Sequence, residues 1–218
     1  GVSNGVCKAY HNLLEKGKLN CRISLMPNWH GFTLKQNEKE LNEILNKYPF
    51  HSGYGNNWLR YTSLKMAIDG GLTSMTALKS WPYKNENSLR EFPLRLDLNK
   101  LEEYISSAHN AGWDIGIHVM GDIAIKKAVD AIYKAVKANP RKHNHSIIHA
   151  YYPSDEVLRK MNEVDIKVAA QASFIYVEAD GYDNLLPIDK QISFTPLKSY
   201  LNNGIIVALS TDMPCSNL

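Results

Sequence analysis

Residues 115–122 read IGIHVMGD, and this stretch decides the fold class. An apolar run leads into His118, small residues follow, and Asp122 precedes residues with helical spacing of apolar side chains. A short apolar run that ends in a turn and continues into a helix is typical of a strand–helix unit in a parallel sheet. We predict that Asp122 caps the helix at Ile123. His118, at the strand end, could either pack in the core or bind a metal ion.

The same pattern recurs on both sides of this stretch. We predict six strands, each separated from the next by roughly the length of a helix, at residues 22–26, 63–68, 114–119, 146–150, 167–172 and 205–210. Helices are predicted at residues 6–16, 38–47, 98–110 and 123–138, after a Ser154 cap, and from Thr195-Pro196 to Gly204. Two stretches that follow strand ends, 73–97 and 175–194, are predicted to be irregular loops.

Near-continuous apolar strands that alternate with helices indicate a parallel sheet covered by helices. Two α/β architectures fit this order, an open doubly wound sheet and a (β/α)8 TIM barrel. The sequence contains no GxGxxG motif or phosphate-binding loop at a strand–helix turn, which removes the commonest reasons for an open nucleotide-binding sheet. We expect residues 1–218 to form one domain.

Composition and charge exclude several classes of function. The 218 residues include 25 basic and 22 acidic side chains, a formal net charge of +3 that is too balanced to indicate nucleic-acid binding. No apolar run is long enough to span a membrane, and the first residues lack a signal-peptide pattern. The three cysteines without CxxC spacing predict reduced, mostly buried thiols. We therefore expect a cytoplasmic protein that acts on a small molecule.

Four predicted strands end in a potential metal ligand, namely Lys65, His118, His149 and Asp212. In a parallel barrel the carboxyl ends of all strands meet at one face, so these side chains would converge. Neutral imidazole and carboxylate groups suit Zn²⁺ and similar divalent ions. Such an ion activates water for hydrolysis, and a nearby carboxylate can then carry the proton.

Each of these residues also has an ordinary structural interpretation. A lone histidine at a strand end is more often a hydrogen-bonded packing residue, Asp212 could cap a turn, and Lys65 could pair with Asp69. The six remaining histidines are predicted to lie at surface or loop positions: His11, His30, His51, His109, His143 and His145. The order Lys, His, His, Asp at four strand ends is much more specific than any one residue.

That order resembles the metal-dependent amidohydrolase superfamily, and within it the branch that contains N-substituted formamide deformylase. The resemblance extends from Leu64 to Pro214. Its best stretches are LKMAIDGGLTSMTA, IHVMGDIAI, SIIHA and SYLNNGIIVALSTDMP. It implies a deformed (β/α)8 barrel that holds one or two divalent metals, Zn first, with Fe or Mn as alternatives.

The resemblance also implies roles for individual residues. Lys65 corresponds to the fourth-strand bridging ligand, which is often carboxylated, and His118 and His149 correspond to the fifth- and sixth-strand ligands. Asp212 corresponds to the eighth-strand residue that binds metal and shuttles a proton to the leaving amine. The residues implied to lie near the substrate are Asp69, Gly70 and Gln171.

The sequence departs from the pattern of this branch in several places. The HxH motif of the first strand is absent, and the one H-x-H triplet, His143-Asn144-His145, precedes the sixth strand. Ile148 stands where the branch usually has a Glu, and Ala172 stands where a Pro often follows the Gln. We therefore expect a partial barrel, approximately strands 3 to 8, that is incomplete at both ends and belongs to a longer polypeptide or a homo-oligomer.

The leading hypothesis is a metal-dependent hydrolase that cleaves an amide or formamide C–N bond. Aromatic residues in the two long loops would wall its pocket: Trp81, Tyr83, Phe174, Tyr176 and Tyr182. A second hypothesis is a non-catalytic barrel fragment with a binding or regulatory role, which the missing HxH motif supports. A third is a phosphate-binding aldolase or isomerase with Lys65 as the reactive lysine, although the turn after the last strand has no glycine-rich segment.

Overall fold

The central feature of the protein is a six-stranded parallel sheet in the order β2-β4-β5-β6-β7-β8. Its strands are β2 (Asn28–His30), β4 (Leu64–Ala67), β5 (Ile115–Val119), β6 (Ser146–His149), β7 (Lys167–Ala170) and β8 (Val207–Leu209). A computed structural model describes residues 1–30, 45, 51–94, 96–213 and 215. The order of β4 to β8 follows the chain, as expected for part of a (β/α)8 barrel.

The first strand of the sheet differs from the prediction. The segment predicted at residues 22–26 forms β1 (Ile23–Leu25), which pairs in parallel with β3 (Leu59–Tyr61) in a separate two-stranded sheet. The sixth position of the main sheet is filled by β2, which the sequence analysis missed. Pro27 lies between β1 and β2, and it has no backbone N–H to continue a ladder, so the chain divides into two short strands there.

Three helices connect successive strands from β4 to β7: α2 (Leu101–Asn110), α3 (Asp122–Ala138) and α4 (Asp155–Glu163), with a 3-10 turn at Leu98–Lys100 before α2. Helix α1 (Asn4–Glu15) precedes β1 and contacts β3. The Ser3 and Ser154 hydroxyls cap α1 and α4 by accepting from the N–H groups of Val6 and Val157. The helix predicted at 38–47 lies outside the described residues, apart from Leu45. None of the described helices is long and apolar enough to cross a membrane.

The predicted cap of α3 is wrong. The N-cap is Gly121, and Asp122 is the first helical residue. A Cβ at Gly121 would lie 1.8 Å from the carbonyl oxygen of Leu78, so only glycine fits there. The Asp122 carboxylate instead accepts hydrogen bonds from the backbone N–H and the hydroxyl of Ser80, which fixes the loop after β4 to the start of α3.

The stretch 175–194 was predicted to be irregular, but the structure contains three short helices there: α5 (Phe174–Val177), α6 (Ala179–Leu185) and α7 (Ile188–Ser193). They are followed by α8 (Leu197–Asn202), whose N-cap is Pro196 rather than Thr195. Runs of four to seven residues carry too few turns for a helical period to be visible in the sequence. The described part of 73–97 has neither helix nor strand, as predicted.

Two apolar clusters hold the described part of the chain together. The larger lies between the sheet and its helices and includes Ile117, Ile125, Ile132 and Ile147, each fully buried. The smaller joins the loop after β4 to the segment that holds α5 to α7, through Leu72, Ala77, Tyr83, Met120, Tyr151, Phe174, Tyr182, Leu186 and Phe194. Of the three free cysteines Cys7 is buried, whereas Cys21 and Cys215 are exposed, which corrects the expectation of mostly buried thiols.

Three histidines predicted to lie at surface or loop positions are buried together, although His143 and His145 do lie in a loop, the one before β6. His109, His143 and His145 are at most 7% exposed. His145 Nδ1 accepts from the N–H of Ile115 at 3.0 Å, and His109 Nε2 donates to the carbonyl of Asn139 at 2.8 Å. These two bonds fix both tautomers, so His145 Nε2–H donates to His109 Nδ1 over 2.8 Å. Both rings are therefore held neutral, and we call this chain of bonds the histidine relay.

The histidine relay predicts that the protein loses stability in mild acid. Burial lowers the pKa of His145 to about 2 and also lowers that of His109. An unfolded histidine titrates near ~6.5, so below that pH the unfolded chain binds more protons than the folded one. The relay is thus fully stabilising above about pH 6.5. Below it the contribution of His145 falls by about 1.4 kcal/mol per pH unit, and His109 adds a loss in the same direction.

Urea unfolding at several pH values between about 7.5 and 5.5 measures this dependence directly. His145→Gln should be less stable at every pH, with a shallower fall of the unfolding free energy toward acid. His51→Gln, which removes an exposed imidazole, should keep the wild-type slope. Equal slopes for wild type and His145→Gln would rule out the neutral relay.

Candidate metal centre

Lys65 and His118 lie on the same face of the sheet. Lys65 pairs with Gly116, and Ala67 pairs with His118 two residues further along both strands. Side chains alternate between the two faces of a strand, so Lys65, Gly116 and His118 share one face. Burial lowers the pKa of Lys65 to about 8, and the Asp212 carboxylate opposes that shift. The structure thus brings together His118 from the carboxyl end of β5, Asp212 from the segment after β8, and Lys65, which lies two residues before the end of β4 rather than at the strand end that the sequence predicted.

His149 reaches this face through an unusual backbone conformation. Ile148 pairs with His118, so strict alternation would place His149 on the opposite face. His149 has φ +69° and Ala150 has φ +59°, both in the left-handed region that non-glycine residues rarely adopt. The ring centroids of His118 and His149 are 4.6 Å apart and nearly perpendicular. Strained backbone of this kind is concentrated at functional sites.

His149 is buried with an unsatisfied ring nitrogen. Its side chain is 3% exposed, and Nδ1 has no hydrogen-bond partner among the described residues. Burial is the main cause that lowers the pKa of His149 to about 2, and the electrostatic effects of His118 and Lys65 act in the same direction. A neutral imidazole with an unsatisfied nitrogen costs folding energy unless something binds it. It also has the protonation state that metal binding requires.

His118 is oriented by the loop that follows β4. Its Nε2 donates to the carbonyl oxygen of Gly70 at 2.8 Å, which leaves the lone pair on Nδ1. Metal-binding histidines usually donate their other ring N–H to a carbonyl or carboxylate in this way. Gly70 cannot be replaced without rearrangement, because a Cβ there would lie 1.9 Å from Thr76 Oγ1.

Asp69 anchors that loop and does not face Lys65. It is fully buried, and its carboxylate accepts from the backbone N–H groups of Leu78, Met120 and Gly121 at 2.8–3.0 Å. Burial raises the pKa of Asp69 to about 7, and the three donors oppose that shift. Because both oxygens are engaged, Asp69 is not the ion-pair partner of Lys65 that the sequence suggested. Its contact with substrate stays a prediction.

The bonds of Asp69 predict a large cost for an otherwise small change. In Asp69→Asn, an NH₂ group, which is a donor, takes the place of one of the two accepting oxygens. At least one buried backbone N–H therefore loses its partner. We expect a loss of about 1–3 kcal/mol in unfolding free energy, measured by urea denaturation. Asp155→Asn, at the exposed start of α4, is the matched control and should change stability far less. A difference below about 0.5 kcal/mol would contradict this role of Asp69.

Asp212 lies at the edge of the set. Its Oδ2 is 3.8 Å from His149 Nε2, and its side chain is 44% exposed. Its backbone φ of +56° is also left-handed. An exposed carboxylate beside a buried imidazole is open to solvent on one side and in contact with the site on the other. Asp212 is therefore positioned to exchange protons with molecules that reach the site.

Gln171 and Phe174 form the wall on the β7 side. Gln171 is 1% exposed, and its Oε1 has no hydrogen-bond partner in the described structure. The ring of Phe174 stacks on His149 with centroids 5.9 Å apart. Of the other aromatic residues expected in the wall, Tyr83 and Tyr182 are buried in the smaller cluster and Trp81 packs against it, whereas Tyr176 is 88% exposed.

Asn28 is a site neighbour that the sequence analysis missed. It pairs with Lys65 across β2 and β4, and its Oδ1 is buried without a hydrogen-bond partner among the described residues. The strand that carries it has three residues, too short to show a periodic signal. A polar residue just after Pro27, next to Trp29, was the only available hint.

The set fits a divalent metal in part. Two imidazoles, one hydrogen-bonded to a carbonyl and one with an unsatisfied nitrogen, a carboxylate and a lysine of lowered pKa are the donor types that such ions bind. No group of three or more His, Cys, Asp or Glu within the described ranges is arranged closely enough to hold an ion. The paired imidazoles are therefore the core of the candidate centre, with Asp212 and Lys65 beside it.

A strand-end set of this kind on a parallel α/β sheet is typical of metal-dependent barrel hydrolases. The model described as the amidohydrolase family matches residues 4–218, and the chain belongs to that family. The chain is similar to the putative amidohydrolase YtcJ of Bacillus subtilis, with 26% identity over 157 residues, which are 72% of this chain and 29% of that protein.

Solved structures show the same similarity. An uncharacterized metal-dependent hydrolase from Pyrococcus furiosus superposes with a TM-score of 0.77 and 26% identity, over 100% of this chain and 42% of that one. A second such hydrolase, from Pyrococcus horikoshii OT3, gives 0.78 and 22% identity, over 100% and 41%. The chain therefore has part of the amidohydrolase barrel and spans less than half the length of these relatives.

Proposed function

We propose that the protein acts as a metal-dependent hydrolase on a non-peptide C–N bond, an amide or formamide, of a small molecule. The observation that carries the proposal is the pair of histidine rings 4.6 Å apart, one with its tautomer fixed by Gly70 and the other with a buried, unsatisfied nitrogen. Membership of the amidohydrolase family supports the same reaction class.

His118, His149 and Asp212 would hold the metal, with Lys65 beside them. Zinc is the first choice for these donors, and iron or manganese are alternatives. When bound there, a divalent ion lowers the pKa of water and polarises a carbonyl group. The buried His149 stays neutral and so keeps a lone pair for binding. The Gly70 carbonyl keeps His118 in the correct tautomer.

Asp212 is the proton carrier in this proposal. Its Oδ2 lies next to His149 Nε2, and its exposed side allows contact with both water and substrate. The carboxylate accepts a proton from the attacking water and donates it to the amine nitrogen as the C–N bond breaks. The products are a carboxylic acid and an amine, and Asp212 returns to its starting state.

Lys65 is proposed to react with CO₂ to form a carbamate, a change that the family resemblance implies. Its pKa of about 8 increases the share of the neutral amine, which is the form that attacks CO₂ with release of a proton. The resulting anion would serve as an oxygen ligand in place of a cation. Carbon-13 NMR after exchange with labelled bicarbonate tests this, since Lys65→Ala should lose one carbamate signal.

The substrate is proposed to carry an apolar or aromatic group next to its amide. Phe174 stacks on His149, and the tyrosines of the smaller cluster lie behind it. Apolar walls with few polar groups are usual for sites that bind small organic molecules. The unsatisfied Gln171 Oε1 supplies one acceptor for a substrate N–H.

A hydrolysis assay on N-formyl and N-acyl amines, after loading with Zn²⁺ or Mn²⁺, tests the function. We expect metal-dependent release of the amine, with aryl or aralkyl formamides preferred over formamide itself. Release of the amine that persists in excess chelator, or a metal-loaded protein inactive on the whole panel, would contradict the proposal.

The competing function is a non-catalytic binding or regulatory role. The observation that favours it is that the described ligands are not arranged closely enough to form a metal-binding group. The same assay separates the two functions, because a binding role predicts retention of amides without turnover. Equilibrium binding of an unreacted N-formyl amine, with no product by mass spectrometry, would support the binding role.

A further inference from the structure

A second cavity lies at the opposite end of the sheet from the candidate metal centre. It has a volume of about 660 Å³ and is lined by residues at or just before the amino ends of β4, β5 and β6, among them Ser63, Asp114 and Ser146. Strands of this length separate the two ends of the sheet by roughly 15 Å. The volume suits a small organic molecule. No residue of the candidate metal centre lines the cavity.

The charged residues that line this cavity are mainly cationic. Arg60, Arg141 and Lys142 contribute to it, against the single carboxylate of Asp114. That carboxylate is already engaged, because Oδ1 accepts from Arg141 at 3.0 Å and Oδ2 accepts from the N–H of Asn144 at 2.9 Å. In the described part of the chain, neither Arg60 nor Lys142 forms an ion pair with a carboxylate. The remaining charge facing the cavity is therefore positive.

Arg141 is held in place by its neighbours. Its guanidinium donates to the carbonyl oxygens of His109, Trp113 and Lys142, in addition to Asp114. A guanidinium fixed by four acceptors loses little conformational entropy when an anion arrives. Arg60 and Lys142 are exposed and can move toward a ligand. The cavity thus combines one fixed guanidinium, whose charge Asp114 offsets, with the two adjustable cations Arg60 and Lys142, which carry the remaining positive charge.

The first histidine of the H-x-H triplet, which is not part of the candidate metal centre, lines this cavity. His143 lines it, and its Nδ1 accepts from the backbone N–H of His145 at 3.3 Å. Burial lowers the pKa of His143, so the ring is neutral and its remaining nitrogen, Nε2, carries the proton. His143 thus offers an uncharged N–H donor, while His145 belongs to the histidine relay.

We propose that this cavity binds a small organic anion through Arg60, Arg141, Lys142 and the N–H of His143. The ligand carries a carboxylate or a phosphate, because both present oxygens that match guanidinium and ammonium donors. The site is separate from the proposed hydrolytic centre and does not depend on it. Its occupancy would link the amino-end loops of β5 and β6, where the histidine relay also lies.

Calorimetric titrations with inorganic phosphate and with succinate test this inference and distinguish the two anion classes. We expect saturable binding of at least one probe, weakened about tenfold in Arg60→Ala and in Lys142→Ala, as for the loss of one charge-assisted hydrogen bond. Arg22→Ala is the matched control, since this exposed arginine lies near Arg60 but does not line the cavity. Its affinity should stay within about twofold of wild type.

Amide NMR shifts at residues 143–146, upon titration with the same probe, provide the second readout. Shifts confined to those residues and their neighbours would support the site even if one variant folded poorly. The inference is overturned if neither anion binds saturably, or if Arg22→Ala weakens binding as much as Arg60→Ala. The outcome is independent of the hydrolysis assay, because the probes contain no C–N bond.

Discussion

Replacing His149 by alanine should reduce metal-dependent hydrolysis by about 10³-fold or more, because a catalytic metal contributes several kcal/mol to transition-state stabilisation. His149 supplies the buried, unsatisfied nitrogen of the site and contacts both His118 and Asp212. The variant should also bind zinc much more weakly. Turnover at saturating substrate, together with zinc affinity measured by competition with a chromogenic chelator, provides the check.

His11→Ala is the matched control for that substitution. His11 is partly buried and bonds to the Tyr61 hydroxyl at 3.0 Å, and neither residue belongs to the candidate metal centre. The control should lose some stability and keep both zinc affinity and turnover. If His149→Ala retained wild-type zinc affinity, or if His11→Ala lost as much activity, His149 would not be a ligand.

Asp212→Asn should lower turnover by about 10²–10⁴-fold, the usual contribution of a positioned proton carrier. The amide keeps the size of the side chain but cannot accept the proton of the attacking water. Because Asp212 is 44% exposed, its replacement should leave the unfolding free energy nearly unchanged. Turnover at saturating zinc separates loss of the proton carrier from loss of metal.

Asp180→Asn is the control and should keep wild-type turnover. Asp180 is also an exposed carboxylate, but it lies in the connection between β7 and β8. Asp212→Glu should recover part of the lost activity, since it restores a carboxylate at a slightly different position. Full activity of Asp212→Asn at saturating metal would assign the proton transfer to another group.

Sequence reasoning predicts the parallel sheet and five of its six strands because each of the five lies in a run rich in apolar residues. Ile115, Ile117 and Ile147 are fully buried, and such strands read as apolar runs in the sequence. The three-residue strand of Asn28 carries no such run, and Pro27 conceals its start. The short helices α5 to α7 were missed for the same reason, since each is shorter than the window in which a period can be recognised.

The site was predicted less completely than the fold. Lys65, His118, His149 and Asp212 were selected by residue type, predicted strand-end position, their order along the chain and the family resemblance, and their roles stay predictions. The position of His149 on the inner face depends on two residues with positive φ, which the sequence does not reveal. The burial of His109, His143 and His145 was also missed, because it depends on contacts between α2 and the loops before β5 and β6 that only the folded chain shows.

The sequence alone does not distinguish residues that hold the site in shape from residues that contact the substrate. Asp69 and Gly70 match the DG pair of the branch that the chain resembles, and that resemblance implied a position near the substrate for both. The structure shows Asp69 accepting three backbone N–H groups and the Gly70 carbonyl accepting from His118. Both residues hold the candidate centre in shape, whatever contact either makes with a substrate.

Anomalous diffraction at the zinc edge, from crystals of the zinc-loaded protein, tests the central claim most directly. The account predicts an anomalous peak between His118 and His149, with Zn–N distances of about 2.0–2.1 Å to both imidazoles. Asp212 should lie in contact with the ion or with its bound water. A peak at His109 and His143 instead, with the rings of His118 and His149 unligated, would contradict the account.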